Sequence, residues 1–265
     1  MSERRWRTAY ASVIGTSHIK TDAPCQDAGS CVVATTAEGR EVLVAAASDG
    51  AGTASRSEVG AALTVAHFLR DFAQAATADH SLASIDRNFV DRWIAGVRGA
   101  IAALAAEEGK ALRDYACTLL GAVIGPSAAA YVQIGDGAIV VAGEESGEYS
   151  WIAWPQHGEY ANATNFVTQE GVSEILFFET GAAVKEVALF TDGIERLVLD
   201  LSAKTVHAPA FKPIFEWLAR TEPDQDAQPS KVLAAYLGSD HVNRRTDDDK
   251  TLVMATRAEP PVAVP

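Results

Sequence analysis

The spacing of apolar residues changes between the start of the chain and the region that follows it. Three short apolar runs with turn-forming residues between them, Tyr10–Ile14, Ala28–Ala34 and Val42–Ala47, predict three strands. In residues 55–76 and 89–104 the apolar positions recur every three or four residues instead, which predicts two amphipathic helices. The first 110 residues therefore predict strands followed by a pair of helices, the second of which would begin near a capping Ser84.

The second half of the chain returns to short apolar runs. Glycine-containing turns at 125–127 and 135–137 separate three of these runs, which is typical of an antiparallel meander. The predicted strands are Cys117–Ile124, Ala129–Ile134, Ile139–Ala142, Ser150–Trp154, Ile175–Phe178, Val187–Phe190 and Thr251–Ala255, and the predicted helices are Phe211–Ala219 and Ser230–Leu237. Strands and helices form separate groups, so the order favours an α+β fold with mostly antiparallel sheets covered by helices.

The size and composition of the chain fit one large domain. With 265 residues, of which 48% are hydrophobic, the chain can bury a full core without a second domain. We predict that residues 1–257 form this domain and that the Pro-rich tail 258–265 is disordered.

Charge and cysteine content exclude several classes of protein. The net charge is −13, and no cluster of Lys and Arg forms the basic face that a nucleic-acid-binding protein would need. There is no uninterrupted apolar stretch of the length of a membrane span and no apolar segment after the N-terminal Met1 that would mark a signal peptide. Three cysteines without a CxxC pair indicate a reducing compartment. We therefore expect a stand-alone cytoplasmic protein that binds neither nucleic acid nor membrane, and a monomer.

Acidic residues stand at the ends of several predicted strands. Asp49 and Asp192 directly follow apolar runs, Asp27 precedes one, and the triplet 247–249 comes shortly before the last strand. Strand ends are rigid, so their carboxylates can be directed at one point, where they repel one another unless a cation lies between them. Oxygen ligands of this kind suit Mg²⁺ and Mn²⁺. The pattern therefore predicts a metal site built from distant parts of the chain.

Five short motifs, in this order and spacing, resemble the metal-dependent Ser/Thr protein phosphatases, the PPM or protein phosphatase type 2C family. The resemblance extends from about residue 10 to residue 255, nearly the whole chain. The motifs are Asp49-Gly50-Ala51-Gly52, Cys117-Thr118-Leu119-Leu120-Gly121, Gly135-Asp136-Gly137, Thr191-Asp192-Gly193 and Asp248-Asp249-Lys250-Thr251. Each motif alone is common in turns, and only the set is specific.

The resemblance implies a fold, a reaction and a set of ligands. The fold would be a four-layer αββα sandwich, two mostly antiparallel β-sheets flanked by helices, with two Mn²⁺ or Mg²⁺ ions at one end. Asp49 would bridge the ions, Asp192 and Asp248 would complete the first ion's protein ligands, and the Gly50 carbonyl would serve the second. The two ions would activate a water that attacks the phosphorus of a phosphorylated protein substrate without a covalent intermediate.

The chain departs from the family's pattern next to the second ion. Gln26-Asp27 stands where the family commonly has Glu-Asp, so we predict that Gln26 offers a neutral oxygen and that Asp27 ligates directly or through water. The family's phosphate-binding arginine is replaced by Asp22. We predict that the nearby His18 or Lys20 binds the phosphate instead.

A third ion, which the resemblance also allows, would use Asp136. The acidic residue that usually accompanies it, just after the second Asp-Gly, is Arg196 in this chain, with Glu195 adjacent. The sequence therefore leaves a third ion open.

Two other functions remain compatible with the sequence. One is an inactive pseudophosphatase that binds a phosphoprotein partner, which the neutral Gln26 and the missing arginine favour. The other is a phosphoesterase for a small metabolite, in which the predicted loop 156–173, with Tyr160, Asn162, Thr164 and Asn165, would line the cleft. The sequence contains neither a Gly-x-Ser-x-Gly elbow nor a Walker loop, which excludes a conventional serine hydrolase and nucleotide binding through such a loop.

Overall fold

Two antiparallel five-stranded sheets form the centre of the structure, a computed structural model that describes residues 4–78, 82–143, 148–152, 154–155, 164–170, 176–181, 183–222 and 227–259. The strands are β1 (Arg5–Val13), β2 (Ala28–Thr35), β3 (Glu41–Ser48), β4 (Leu119–Ile124), β5 (Ala129–Ile134), β6 (Ala138–Gly143), β7 (Tyr149–Trp151), β8 (Leu176–Thr180), β9 (Val184–Phe190), β10 (Leu199–Asp200), β11 (Thr205–Val206) and β12 (Lys250–Ala258). One sheet has the order β2-β3-β4-β5-β8 and the other β1-β12-β9-β6-β7, while β10 and β11 form a small separate ribbon.

Helices cover the outer face of each sheet. The helices are α1 (Thr16–Thr21), α2 (Ser57–Ala78), α3 (Arg87–Glu107), α4 (Glu195–Val198), α5 (Ala208–Leu218), α6 (Ala227–Leu237) and α7 (Asp240–Asn243), and short 3₁₀ turns occupy Leu112–Tyr115 and Asp192–Ile194. Apolar residues of α2 and α3 pack on the β2–β8 sheet, and those of α5 and α6 pack on the β1–β7 sheet.

Alternation along the strands explains the layers. In β3, Val42, Val44 and Ala46 point to α2 and α3, whereas the residues between them point to the opposite sheet. In β9, Leu189 points between the sheets and Phe190 points to α5. Because successive side chains in a strand point to opposite faces, each central strand buries both faces. The predicted four-layer α+β sandwich is confirmed.

Several predicted boundaries differ from the structure. β1 begins at Arg5 rather than Tyr10, because the polar start of this strand pairs with β12 up to Ala258. The predicted cap Ser84 is wrong, since Asp86 caps α3 by accepting a hydrogen bond of 2.7 Å from the Phe89 N–H. α1 was not predicted because none of its residues is buried, so it has no apolar face to detect.

The end of the chain and the predicted cleft loop are described only in part. β12 continues through Ala258, one residue into the predicted tail, and residues 260–265 lie outside the described part. The predicted strand Ser150–Trp154 is shorter, with β7 ending at Trp151. Of the predicted loop 156–173, only residues 164–170 are described, so Tyr160 and Asn162 fall outside. Among the described helices, none is long and apolar enough to cross a membrane.

Candidate metal centre

One end of the sandwich brings together the strand ends that carry the predicted ligands. The first residue of β2 pairs with the last residue of β3, which places Asp27 beside Asp49. In the other sheet, Phe190 at the end of β9 pairs with Ala138 at the start of β6 and Leu252 near the start of β12. This register brings the β5–β6 turn, the end of β9 and the start of β12 to the same end. This topology is consistent with the prediction that acidic segments distant in sequence meet at one end of the sandwich.

Asp27 and Asp49 form the most perturbed pair of the site. Their carboxyl groups lie close enough to interact, and Asp27 is buried while Asp49 is half-buried. Burial raises the pKa of Asp27 to about 7, even though hydrogen bonds from Thr191 and Thr251 favour its ionised form. Burial, followed by repulsion from Asp27, Asp192 and Asp136, holds the pKa of Asp49 well above its usual value. Two negative charges are therefore disfavoured at this pair of carboxyl groups.

Asp192 adds a second concentration of negative charge. Burial, together with the charges of Asp136 and Asp248, raises the pKa of Asp192 to about 7. The hydroxyl of Thr164 donates a hydrogen bond of 3.2 Å to Oδ2 of Asp136, so the described part of the predicted cleft loop reaches this group. Asp136 and Asp248 are thus close enough to Asp192 to influence its charge, as the predicted ligand set requires.

Glu195 is a member of this acidic group that the motif comparison did not select. It is 3% exposed and accepts a hydrogen bond of 3.0 Å from the Gly137 N–H. Burial raises its pKa to about 8, and the charges of Asp192 and Asp136 contribute. The only sequence signal was its position directly after Asp192-Gly193-Ile194. The aligned position of the motif is Arg196, which is exposed instead.

The backbone at Asp49 is held by β4. Thr118 accepts a hydrogen bond of 2.9 Å from the Asp49 N–H through its hydroxyl and donates one of 2.8 Å to the Asp49 carbonyl through its own N–H. A side chain at Gly50 would bring its Cβ within 2.6 Å of the Gln26 carbonyl oxygen. A side chain at Gly193 would bring its Cβ within 1.8 Å of the Asp249 carbonyl. Both Asp-Gly pairs therefore need glycine because another backbone segment passes directly beside them.

Asp249 has a different environment from its acidic neighbours. It is 3% exposed and accepts hydrogen bonds of 2.6 Å from the Gly15 N–H, 2.6 Å from the Gln26 N–H and 2.9 Å from Nδ1 of His18. Its carboxylate is therefore satisfied by protein donors. Asp248 remains exposed and accepts a hydrogen bond of 2.9 Å from the Asp249 N–H. This geometry is compatible with Asp248 as the ligand of the triplet, which stays a prediction.

The predicted phosphate-binding residues both lie on α1. His18 is fixed to Asp249 through Nδ1, and Lys20 is exposed. Asp22, where the family has its arginine, ends α1 in a left-handed conformation with φ of 55°. The role of His18 or Lys20 in phosphate binding stays a prediction.

Lys250 is a further residue that the sequence analysis missed. This lysine is fully buried, and its Nζ donates hydrogen bonds of 3.0 Å to Oδ1 of Asn243 and 3.2 Å to the Asp248 carbonyl. It thereby ties the segment that carries Asp248 to α7. Nothing in the pattern marked it, because a lysine next to three aspartates is typical of a solvated loop.

The residues at this end fit a divalent cation. Within the described residues, no three His, Cys, Asp or Glu side chains are arranged so that they alone could hold a metal ion. Mg²⁺ does not require such an arrangement, because it usually keeps several waters and binds through one or two carboxylates. Oε1 of Gln26 is buried and has no hydrogen-bond partner among the described residues. Such an oxygen is costly by about 1–3 kcal/mol unless it is satisfied, and a cation would satisfy it.

Comparison with known proteins identifies the family. A family model described as Protein phosphatase 2C matches residues 14–238. The chain belongs to the protein phosphatase 2C family. This family member is 37% identical over 255 residues to Serine/threonine-protein phosphatase 3 of Escherichia coli (strain K12), a match that covers 96% of this chain and 99% of that protein. The resemblance inferred from the five motifs is confirmed.

Solved structures of other phosphatases share the fold. The serine/threonine phosphatase Stp1 from Staphylococcus aureus is 14% identical, with a TM-score of 0.60 and 97% of each chain covered. The catalytic domain of the serine threonine protein phosphatase PstP, in complex with two manganese ions, is 19% identical, with a TM-score of 0.60 and coverage of 96% of this chain and 99% of that one. At these identities the likeness supports the predicted fold alone.

Proposed function

We propose that this protein phosphatase 2C member hydrolyses phosphoserine and phosphothreonine in proteins with the help of Mn²⁺ or Mg²⁺. The observation that carries the proposal is the group of carboxyl side chains at one end of the sandwich, where Asp27 and Asp49 lie beside each other and Asp136 and Asp192 are near enough to repel Asp49. A divalent cation would compensate the negative charge that these carboxyl groups concentrate there.

The proposed ligands follow from the placement of the donors. Asp49, Asp192 and Asp248, the groups we also propose as catalytic, would hold one ion, and Asp49, the Gly50 carbonyl, Gln26 and Asp27 would hold a second. When bound, such ions supply positive charge for the phosphoryl oxygens and lower the pKa of a water at the site. Two ions are suggested by the two manganese ions of the PstP complex. Asp136 and Glu195 could accommodate a third.

The chain's own contribution is to fix the donors before a substrate arrives. The hydroxyl of Thr191 donates a hydrogen bond of 2.7 Å to Oδ2 of Asp27 and accepts one of 3.1 Å from the Thr251 N–H. Thr118 holds the backbone of Asp49 in the same way from β4. Groups that need no reorganisation as the reaction proceeds stabilise a transition state better than mobile ones. The two threonines are therefore positioning residues.

The phosphate of the substrate is proposed to meet α1. Two contacts hold this helix against the segment 247–249 at the candidate metal centre. The Ser17 N–H donates a hydrogen bond of 2.9 Å to the Asp247 carbonyl, and His18 contacts Asp249. The exposed ammonium group of Lys20 could then approach a phosphoryl oxygen. A phosphorylated protein is the proposed substrate because the Escherichia coli relative is named a serine/threonine-protein phosphatase. The three cysteines are free thiols, which supports the expected reducing compartment.

The test is metal-dependent hydrolysis by the purified, chelated protein. p-Nitrophenyl phosphate and a phosphothreonine peptide are assayed with and without Mn²⁺, alongside Asp192→Asn and, as a matched control, Asp91→Asn on the exposed face of α3. We expect activity only with metal, a preference for the peptide, and loss of both in Asp192→Asn but not in the control. Activity on the small ester alone would favour a metabolite phosphoesterase. No activity in a folded sample would favour the pseudophosphatase.

A further inference from the structure

A basic groove lies on the β1–β7 side of the molecule, outside the candidate metal centre. We define the basic groove by Arg196, His207, Tyr236, His241 and Arg245, which line a cavity of about 330 Å³. These residues come from α4, the start of α5, the end of α6 and α7 with the turn that follows it. Two stretches of the chain, residues 196–207 and 236–245, thus contribute one uncharged aromatic side chain and four side chains that are, or can become, positively charged.

Two short stretches of the chain connect the groove to the candidate metal centre. Arg196 comes four residues after Asp192, and Arg245 comes three residues before Asp248. A chain spans at most about 3.3–3.6 Å per residue, so the two arginine Cα atoms lie within about 14 Å and 11 Å of those of the predicted ligands. A peptide held at the metal centre could reach the groove within a few residues.

The two arginines of the groove have no acidic partner. Neither Arg196 nor Arg245 forms an ion pair with a carboxylate within the described ranges. Arg245 contacts the ring and the carbonyl oxygen of His241 instead. Two other surface arginines are paired, Arg70 with Asp71 at 2.6 Å and Arg87 with Asp91 at 2.8 Å. In a chain of net charge −13, this is a local excess of positive charge.

The nearest carboxylates, Glu195 and Asp200, interact electrostatically with Arg196 and His207, but their hydrogen bonds are made to other groups. Glu195 precedes Arg196, but its side chain is buried and accepts its hydrogen bond from Gly137 on the metal side. Asp200 lines an adjoining cavity, and its Oδ1 accepts hydrogen bonds from the backbone of Ser202 and Ala203. The arginine forks therefore remain available to an anionic group from outside the chain.

We propose that the basic groove binds a second anionic side chain of the substrate, on a residue near the phosphorylated one, and so selects acidic phosphopeptides. This rests on the proposed phosphatase function. At about 3.3–3.6 Å per residue, the upper limits above put the anionic residue within about four positions of the phosphorylated residue, and we test the positions three and four residues away. Tyr236, which is 47% exposed, offers a flat surface for the intervening peptide. An acidic carboxylate or a second phosphate has the required charge.

The experiment compares phosphothreonine peptides that differ at the positions three and four residues from the phosphothreonine. One peptide carries Asp there, one Asn and one phosphoserine, and kcat/KM is measured for each with the wild type and with the double variant Arg196→Gln/Arg245→Gln. We expect the wild type to prefer the Asp peptide over the Asn peptide and the double variant to lose at least about fivefold of that ratio. A larger ratio for the phosphoserine peptide would identify a second phosphate as the favoured ligand.

The matched control is Arg220→Gln. Arg220 is exposed and follows the far end of α5, a helix of 11 residues and about 16 Å, so it lies away from the groove. This variant makes the same change in net charge per residue and should keep the wild-type ratio. An equal loss in Arg220→Gln, or an unchanged ratio in the double variant, would overturn the proposal.

A binding measurement separates this proposal from the phosphatase function. Fluorescence anisotropy of labelled Asp and Asn peptides, with alanine in place of phosphothreonine, is followed at low salt, where exposed charges are least screened. Tighter binding of the Asp peptide to the wild type but not to the double variant would support the groove even if no peptide were hydrolysed. Equal binding of both peptides to the wild type would overturn the proposed role of the groove. The proposed phosphatase function would still be tested separately by the hydrolysis assay.

Discussion

Asp27 and Asp249 are both buried at the same end of the molecule, at 8% and 3% exposure, but their surroundings differ. Asp249 accepts hydrogen bonds from three N–H groups, so the chain itself compensates its charge. Asp27 receives hydrogen bonds from the side chains of Thr191 and Thr251, and it lies beside the carboxyl group of Asp49. Where the chain supplies donors, a carboxylate organises the fold. Where carboxyl groups face one another instead, a bound cation must supply the compensating positive charge. Such an uncompensated group of carboxylates is expected at a ligand site.

The largest effect is expected from Asp49→Asn, which removes the acid at the centre of the unsatisfied group. We expect kcat/KM for a phosphothreonine peptide with Mn²⁺ to fall by at least about a hundredfold, the scale lost with one preorganised electrostatic group. The chelated variant should unfold at no lower temperature than the wild type, because repulsion with Asp27 is relieved. Steady-state kinetics and circular dichroism melts measure the two quantities. Near wild-type turnover would remove Asp49 from the ligand set.

The complementary change, Asp249→Ala, should act on stability first. It leaves the N–H groups of Gly15 and Gln26 and the ring of His18 without their acceptor, and each buried donor left unpaired costs about 1–3 kcal/mol. We expect the free energy of unfolding in urea to fall by more than about 3 kcal/mol. Asp91→Ala, which removes an exposed ion pair with Arg87, should cost less than about 1 kcal/mol. Equal losses in the two variants would remove the distinction between Asp249 and a surface aspartate.

A smaller effect of opposite sign is expected from Gln26→Glu. The buried Oε1 of Gln26 has no hydrogen-bond partner in the described part of the chain, so a carboxylate there would add charge where a cation is proposed. We expect Mn²⁺ to bind about tenfold more tightly by calorimetry. The control Gln74→Glu, on the exposed face of α2, should leave the affinity unchanged. Weaker Mn²⁺ binding in Gln26→Glu would exclude Gln26 from the site.

The smallest effect is expected in the pH dependence of the chelated protein. The pKa of Asp27 and that of Asp192 are raised to about 7, above their usual acidic values. At pH values between the usual pKa and about 7, the folded chain therefore binds more protons than the unfolded chain. The stability contributed by these groups is complete below their usual pKa and is lost as the pH rises through about 7. The unfolding temperature in chelator should therefore decrease between pH 6 and pH 8, and less so in Asp192→Asn. An increase over this range would contradict the account.

Much of the fold could be predicted because its central strands are apolar on both faces. Val42–Ala47 and Val187–Phe190 read directly as strands, and both end in an Asp-Gly pair. The layers themselves came from the family resemblance, since short apolar runs do not specify which strands pair. The start of β1 was missed because Arg7, 1% exposed, donates a hydrogen bond to the Thr221 carbonyl, a contact that no local pattern contains.

The sequence predicted which types of residue form the site. It did not predict which of the acidic residues are satisfied by hydrogen bonds from the chain itself. The acidic residues at predicted strand ends included Asp27, Asp49 and Asp192, and these three lie at the same end of the structure. The sequence could not show that Asp249 is satisfied by Gly15, Gln26 and His18, because those donors are more than 220 positions away. Glu195 was missed because the motif comparison selects the next position, whereas the helical turn after Asp192 directs Glu195 inward.

The most direct test of the account is the effect of Mn²⁺ on thermal unfolding of the wild type and of Asp49→Asn. A ligand that binds only the folded state stabilises it, by about 2.7 kcal/mol at a concentration one hundred times its Kd. If the unsatisfied carboxyl group requires a cation, Mn²⁺ should raise the unfolding temperature of the chelated wild type and leave that of Asp49→Asn almost unchanged. No increase in the wild type, or the same increase in both proteins, would contradict the proposal that these carboxylates form a metal centre.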